Sequence, residues 1–96
     1  MPSPSGKPPR YQMHLHNLRA MQQVGYVETE PRPYGPRHDE RWESDIQILW
    51  VKGADGRVVN GFWPVYAGDG KSKQQARDAA AKAALEAIGI DVEALP

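Results

Sequence analysis

Apolar positions along the chain follow two periods, three to four residues toward both ends and two in the middle, and the changes of period predict five elements. In YQMHLHNLRAMQQVG, Tyr11, Leu15, Leu18 and Met21 recur at helical spacing, which predicts an amphipathic first helix that Gly25 can end. YVETEPRPY alternates briefly, but Pro31 and Pro33 cannot donate to a sheet ladder, so only a short edge strand is expected. WESDIQILWVK has the cleanest alternation: Trp42, Ile46, Ile48 and Trp50 stand on one face and Glu43, Asp45 and Gln47 on the other. It is expected at the centre of the sheet with its apolar face toward the core. Asp55-Gly56 in KGADGR signals a hairpin into RVVNGFWPVYA, a third strand in which Pro64 fits only an edge or a bulge. SKQQ reads as a capping box, with Ser72 as N-cap and Gln75 reaching back to it. It opens a second helix whose small apolar face is Ala76, Ala80, Ala83, Ala84, Ala87 and Ile88, stopped by Gly89. The order is α-β-β-β-α, an α+β fold with two helices packed on one face of a three-stranded antiparallel sheet.

Length and composition limit what this fold can carry. With 96 residues there is room for one small domain, and with no cysteine it must hold by packing alone, without disulfides or thiolate metal sites. The division expected is a flexible Pro/Ser-rich tail over 1–10, a domain over 11–90 and a short acidic tail over 91–96. The start, MPSPSGKPPRY, has no apolar core, so it is expected to be neither a signal peptide nor a membrane anchor, and no apolar run approaches the ~20 residues of a membrane span. A soluble intracellular chain, cytoplasmic or nuclear, is expected.

Twelve Lys/Arg balance twelve Asp/Glu, so any anion-binding surface must be a local patch. GDGKSKQQAR, residues 68 to 77, is the candidate. A Walker phosphate loop would need glycine at position 65, where Val65 stands, and would follow a buried parallel strand, so the nucleotide reading fails. What remains is a cation cluster at a helix start. Lys73 and Arg77 are one helical turn apart, and Lys71 stands just before the cap, where the helix end adds its own partial positive charge.

Three stretches fall in order along the chain, Leu15-His16-Asn17-Leu18 in the first helix, GPRHDERW over 35–42 and GDGKSKQQAR over 68–77, and together they resemble the double-stranded RNA-binding domain family over about residues 11 to 89. GPRHDERW supplies Gly35, Pro36, Arg37, His38 and Trp42 in the family's loop pattern. The helix pattern is met by Gly68, Gly70, Ser72, Lys73, Gln74, Ala76 and Arg77, and the first-helix pattern by Leu15, His16, Asn17 and Leu18, with Asn17 where a glutamate is usual. The resemblance implies recognition of duplex RNA by shape and 2′-hydroxyls rather than by sequence, since the deep, narrow major groove of A-form RNA is closed to side chains. It implies that Gln12, His16 and Asn17 enter one minor groove and that Pro36, Arg37 and His38 enter the next. Lys71, Lys73, Gln74 and Arg77 would meet the phosphates between. Such a chain would serve as a small RNA-binding protein or as a module of an RNA-processing system.

Other classes find less support. His14, His16 and His38 invite a metal reading, but residues two apart on a helix diverge, so no metal or other cofactor is expected. No nucleophile–base set or supported carboxylate pair is visible, so the chain is not expected to be an enzyme. The rival is an interaction or homodimerisation module, working through an edge strand or the open sheet face. There Leu49 and Val51 would point away from the helices, joined by Val58, Phe62 and Tyr66 or by Val59, Trp63 and Val65.

Overall fold

The computed structural model describes residues 11–61 and 63–92. The expectations for the tail 1–10, for positions 93–96 and for Phe62 lie outside the described residues. Helix α1 (Tyr11–Ala20) is followed by strands β1 (Val24–Glu28) and β2 (Arg32–Tyr34), a 3-10 turn (Arg37–Asp39), and strands β3 (Arg41–Lys52), β4 (Val58–Asn60) and β5 (Val65–Gly70). Helix α2 (Lys73–Ala87) comes last. β3 is the central strand: β1 and β2 pair with one of its edges and β4 and β5 with the other, all antiparallel. The fold is α+β in the order expected, and the sheet has five strands rather than three. Each outer line is broken where a proline withdraws its amide, Pro31 immediately before β2 and Pro64 immediately before β5.

Both helices pack on one face of this sheet. The core joins Leu15 of α1, Val24 and Tyr26 of β1, Ile46 and Ile48 of β3, and Ala80, Ala81, Ala84 and Leu85 of α2. Each fully buried Leu, Ile or Val contributes about 1.5–3 kcal/mol. Val92 is buried in the same cluster, so the packed unit runs past the expected boundary at residue 90. Ser44 is also fully buried, and its hydroxyl donates to the Thr29 carbonyl at 3.0 Å, which offsets its desolvation. Among the described residues no helix is long and apolar enough to cross a membrane.

Four expectations change. α1 does not run to Gly25: Gln22 takes a left-handed φ of 60°, and Gln23 and Gln22 donate to the Leu18 and Arg19 carbonyls at 2.9 and 3.0 Å, a Schellman cap without glycine. Met21, outside the helix, is exposed. Second, the pairing Gly25↔Trp50 is followed by Tyr26↔Ile48, which leaves Leu49 as an extra residue in β3. This bulge reverses the alternation. Val51, opposite buried Val24, packs on the core, and Trp50 turns to the outer face, where its indole fills the space a side chain at Gly25 would need. Third, Trp42 is only half-buried and stands outside the buried cluster. Fourth, the buried stripe of α2 includes Ala81 and Leu85, whereas Ala87 is exposed.

Candidate nucleic-acid interface

The segment GDGKSKQQAR is strand, cap and helix in turn. Gly68 and Gly70 lie on β5 opposite Ser44 and Trp42, directly beneath α2. A Cβ on Gly68 would overlap the backbone of Ala76, Ala79 and Ala80, and one on Gly70 would overlap Gln75. The glycines therefore set the helix–sheet approach and do not wrap a phosphate. Ser72 caps α2 from an extended backbone, its Oγ accepting from the Gln75 amide at 3.1 Å. The Gln75 side chain does return, but to the Lys71 amide at 2.8 Å rather than to Ser72. Helix α2 thus begins with its first turn rigidly tied.

Hydrogen bonds join the start of α1 to this end of α2. Gln12 accepts from Gln74 Nε2 through its side-chain oxygen at 3.0 Å, and its backbone amide donates to the Asp78 carboxylate at 3.0 Å. That carboxylate meets an unpaired helix-start amide, a favourable place for negative charge. A groove lined by Tyr11, Ser72, Gln74, Asp78 and Lys82 lies between the two helix starts.

The loop after β2 reaches the same end of the sheet by another route. Gly35, at φ 89°, takes the left-handed turn that places Pro36, and Asp39 closes a 3-10 turn onto the Pro36 carbonyl at 2.9 Å. Arg37 and His38 stand exposed on it. β3 then starts, and Trp42 pairs with Gly70 across the sheet while the Lys73 ammonium lies 5.0 Å from the centre of its ring. Gln12 touches Gln74, Lys73 touches Trp42, and the 3-10 turn ends three residues before Trp42, so these groups lie along one end of the domain.

The electrostatics separate the cations into paired and unpaired sets. Arg32 pairs with Asp45 and Glu43 at 2.9 and 3.2 Å, and Arg41 with Asp69 at 3.2 Å. The Tyr34 hydroxyl donates to Asp69 at 2.8 Å, and together with Arg41 it holds that carboxyl below its ordinary range. Arg77 reaches Glu30 at 3.5 Å, a loose pair because Glu30 is 94% exposed. Among the described residues no carboxylate pairs with Arg37, Lys71 or Lys73.

Two of the expected minor-groove residues are already engaged. Glu28 accepts from Gln12 Nε2 at 3.3 Å through both carboxylate oxygens and from His16 Nε2 at 3.0 Å. His16 also stacks on Tyr26, with ring centres 5.9 Å apart. Asn17 is exposed beside them. Sequence reasoning missed Glu28 and Glu30 as partners of the site, and missed Trp42 as the platform for Lys73. The signal for Trp42 was present, since a tryptophan at the start of a strand, opposite a glycine, has one side open. Strand alternation puts Glu28 on the side of Val24 and Tyr26, but nothing local shows that α1 covers that end of the strand.

No model of a known protein family matches the chain, and no curated protein matches it at a significant level.

Proposed function

We propose that this chain is a binding module for double-stranded RNA, recognising the duplex by shape, 2′-hydroxyls and phosphates without strong sequence preference. The observation that carries the reading is the contiguity of its polar groups. The Gln12–Gln74 bond and the Lys73–Trp42 contact put the α1 start, the α2 start and the Arg37–Asp39 turn along one end. Among the described residues, Arg37, Lys71 and Lys73 there have no carboxylate partner. An A-form duplex offers a matching sequence of surfaces, with two minor grooves separated by phosphates. Gln12, His16 and Asn17 would meet one groove and Pro36, Arg37 and His38 the other, with Lys71, Lys73, Gln74 and Arg77 on the phosphates between.

With about three phosphate contacts, log Kd should change with log salt at a slope of roughly 2 to 3, so affinity falls about tenfold to a hundredfold between about 50 and 200 mM salt. The test is Lys73→Ala together with Arg77→Ala, read by anisotropy on an RNA duplex of about 24 base pairs. Ser72 and Gln75 still cap α2 in this variant, so it should fold. RNA binding should weaken and the salt slope should drop by up to about 2. Unchanged binding by a folded double variant would refute the reading.

A second reading draws on the outer sheet face, where Val27, Leu49 and Val65 are about half exposed and Trp50 lies beside them. This set differs from the expected one: the bulge exchanges Val51 for Trp50, Tyr66 and Trp63 pack against the core, and Val27 joins from β1. It favours a protein-interaction or homodimer surface. Light scattering with and without the RNA duplex separates the two readings.

A further inference from the structure

Glu28 is a negative charge set among groups that, on the duplex-RNA reading, enter a minor groove. It is the hydrogen-bond acceptor for both Gln12 and His16, at 3.3 and 3.0 Å, and its side chain is only 21% exposed, so it is held in place. It shares the helix-facing side of β1 with Val24 and Tyr26, and the packing of His16 against Tyr26 fixes the imidazole from the other direction. Gln12 is fixed at both ends of its amide, the nitrogen on Glu28 and the oxygen on Gln74.

We propose that Glu28 is a positioning and specificity residue: it orients Gln12 and His16 toward ribose and, by its charge, discriminates against B-form DNA. The inference rests on the duplex-RNA reading. The physical basis is groove width. The minor groove of A-form RNA is wide and shallow and displays 2′-hydroxyls, which interact with an oriented amide and imidazole without bringing a phosphate close. The minor groove of B-DNA is only about 6 Å wide, so a helix start entering it has phosphates of both strands nearby, and deoxyribose offers no hydroxyl in return. A fixed carboxylate at that point repels the second arrangement more than the first. Glu30, two residues on, is almost fully exposed and touches Arg77 rather than α1, so its charge opposes any phosphate backbone alike.

The experiment measures Kd for RNA and DNA duplexes of the same sequence, about 24 base pairs long, with the parent chain, Glu28→Gln and Glu30→Gln, each checked for folding by circular dichroism. Glu28→Gln keeps an acceptor and removes the charge: DNA affinity should rise about three- to tenfold while RNA affinity changes less than about twofold. Glu30→Gln should raise both affinities together and leave their ratio as it is. An unchanged RNA-to-DNA ratio in Glu28→Gln, or an equal change of ratio in Glu30→Gln, would overturn the proposal and leave the RNA reading intact. A parent chain that binds neither duplex would overturn both. If Glu28→Gln does not fold, Glu28→Asp takes its place, since it keeps the charge but withdraws the acceptor. DNA should then stay excluded while RNA affinity falls about threefold, and a rise in DNA affinity would count against the role of charge.

Discussion

Gly68→Ala should cost about 3 kcal/mol of folding free energy, although it adds a single methyl group. That Cβ would stand 2.7 Å from the Ala76 carbonyl oxygen and 2.6 Å from the Ala79 carbonyl carbon, main-chain atoms that no rotamer change can move aside. Ordinary carbon contacts lie near 3.5–4.0 Å, so α2 must withdraw from β5 by roughly 1 Å. A gap of that size forfeits about a quarter to a half of each dispersion contact. It opens over Ala76, Ala80 and Ala84, none of which has any exposed area. Overpacking costs about 1–3 kcal/mol in general, and a collision with backbone belongs at the upper end. At about 4–8 °C per kcal/mol for a domain of this size, Tm should fall by roughly 12–24 °C. Thermal and urea unfolding followed by circular dichroism measure the change. Gly61→Ala, whose Cβ would make an ordinary 3.5 Å contact with the Trp63 ring, is the comparison and should leave Tm nearly unchanged. A Gly68→Ala protein as stable as the parent would refute the packing role and reopen the question of what the glycine is for.

Two further outcomes are expected. Tyr26 is 4% exposed and its hydroxyl has no hydrogen-bond partner among the described residues, so Tyr26→Phe should leave stability at neutral pH unchanged or raise it by up to about 1 kcal/mol in urea titrations. Burial pushes the Tyr26 phenol up to about 12, with Arg19 opposing and Glu28 adding. Because the unfolded phenol ionises near 10, its contribution is complete below about pH 10 and is lost as pH rises toward 12, at most about 3 kcal/mol. The parent should therefore lose more stability than Tyr26→Phe between about pH 9 and 11.5, and parallel losses would contradict this. Gln22→Gly relieves a left-handed backbone at the α1 cap and should raise stability by about 0.5–1 kcal/mol in the same titration, without altering nucleic-acid affinity.

The parts of the fold legible in the sequence are those written in local patterns. Helical spacing located both helices, alternation located β3, and Ser72 marked the start of α2, because each depends on neighbours within one or two turns. What was hidden depends on pairing across the sheet. The bulge at Leu49 is fixed by the match of β1 to β3, and a single extra residue moved Trp50 outward and Val51 inward. Gln22, not a glycine, takes the left-handed position after α1, while Gly25 lies in β1 under the Trp50 indole. The candidate site shows the same division. Lys71, Lys73 and Arg77 were visible as a cluster along one helix start, whereas the ties from Gln12 to Gln74 and from Glu28 to His16 span 62 and 12 residues of sequence.

The balanced composition also means something different once the pairs are placed. Arg32, Arg41 and Arg77 spend their charge on Asp45, Glu43, Asp69 and Glu30, so these cations are neutralised locally by their carboxylate partners. Among the described residues Arg37, Lys71 and Lys73 have no carboxylate partner, and they stand as a local cluster, with Asp39 and Glu40 exposed beside Arg37, on a chain of zero net charge. At physiological salt a charge is felt over only about 8–10 Å, so an anionic partner in contact with that cluster meets three cations while one at a distance meets almost no net field. Such a surface holds a partner that already fits it but does little to draw one in. Its association rate should accordingly stay near the ~10⁵–10⁷ M⁻¹ s⁻¹ of unsteered encounters and respond weakly to salt, with most of the salt dependence in dissociation. Stopped-flow binding of the RNA duplex at two salt concentrations measures both rates, and an association rate that carried the whole salt dependence would show that long-range attraction, not local fit, governs the encounter.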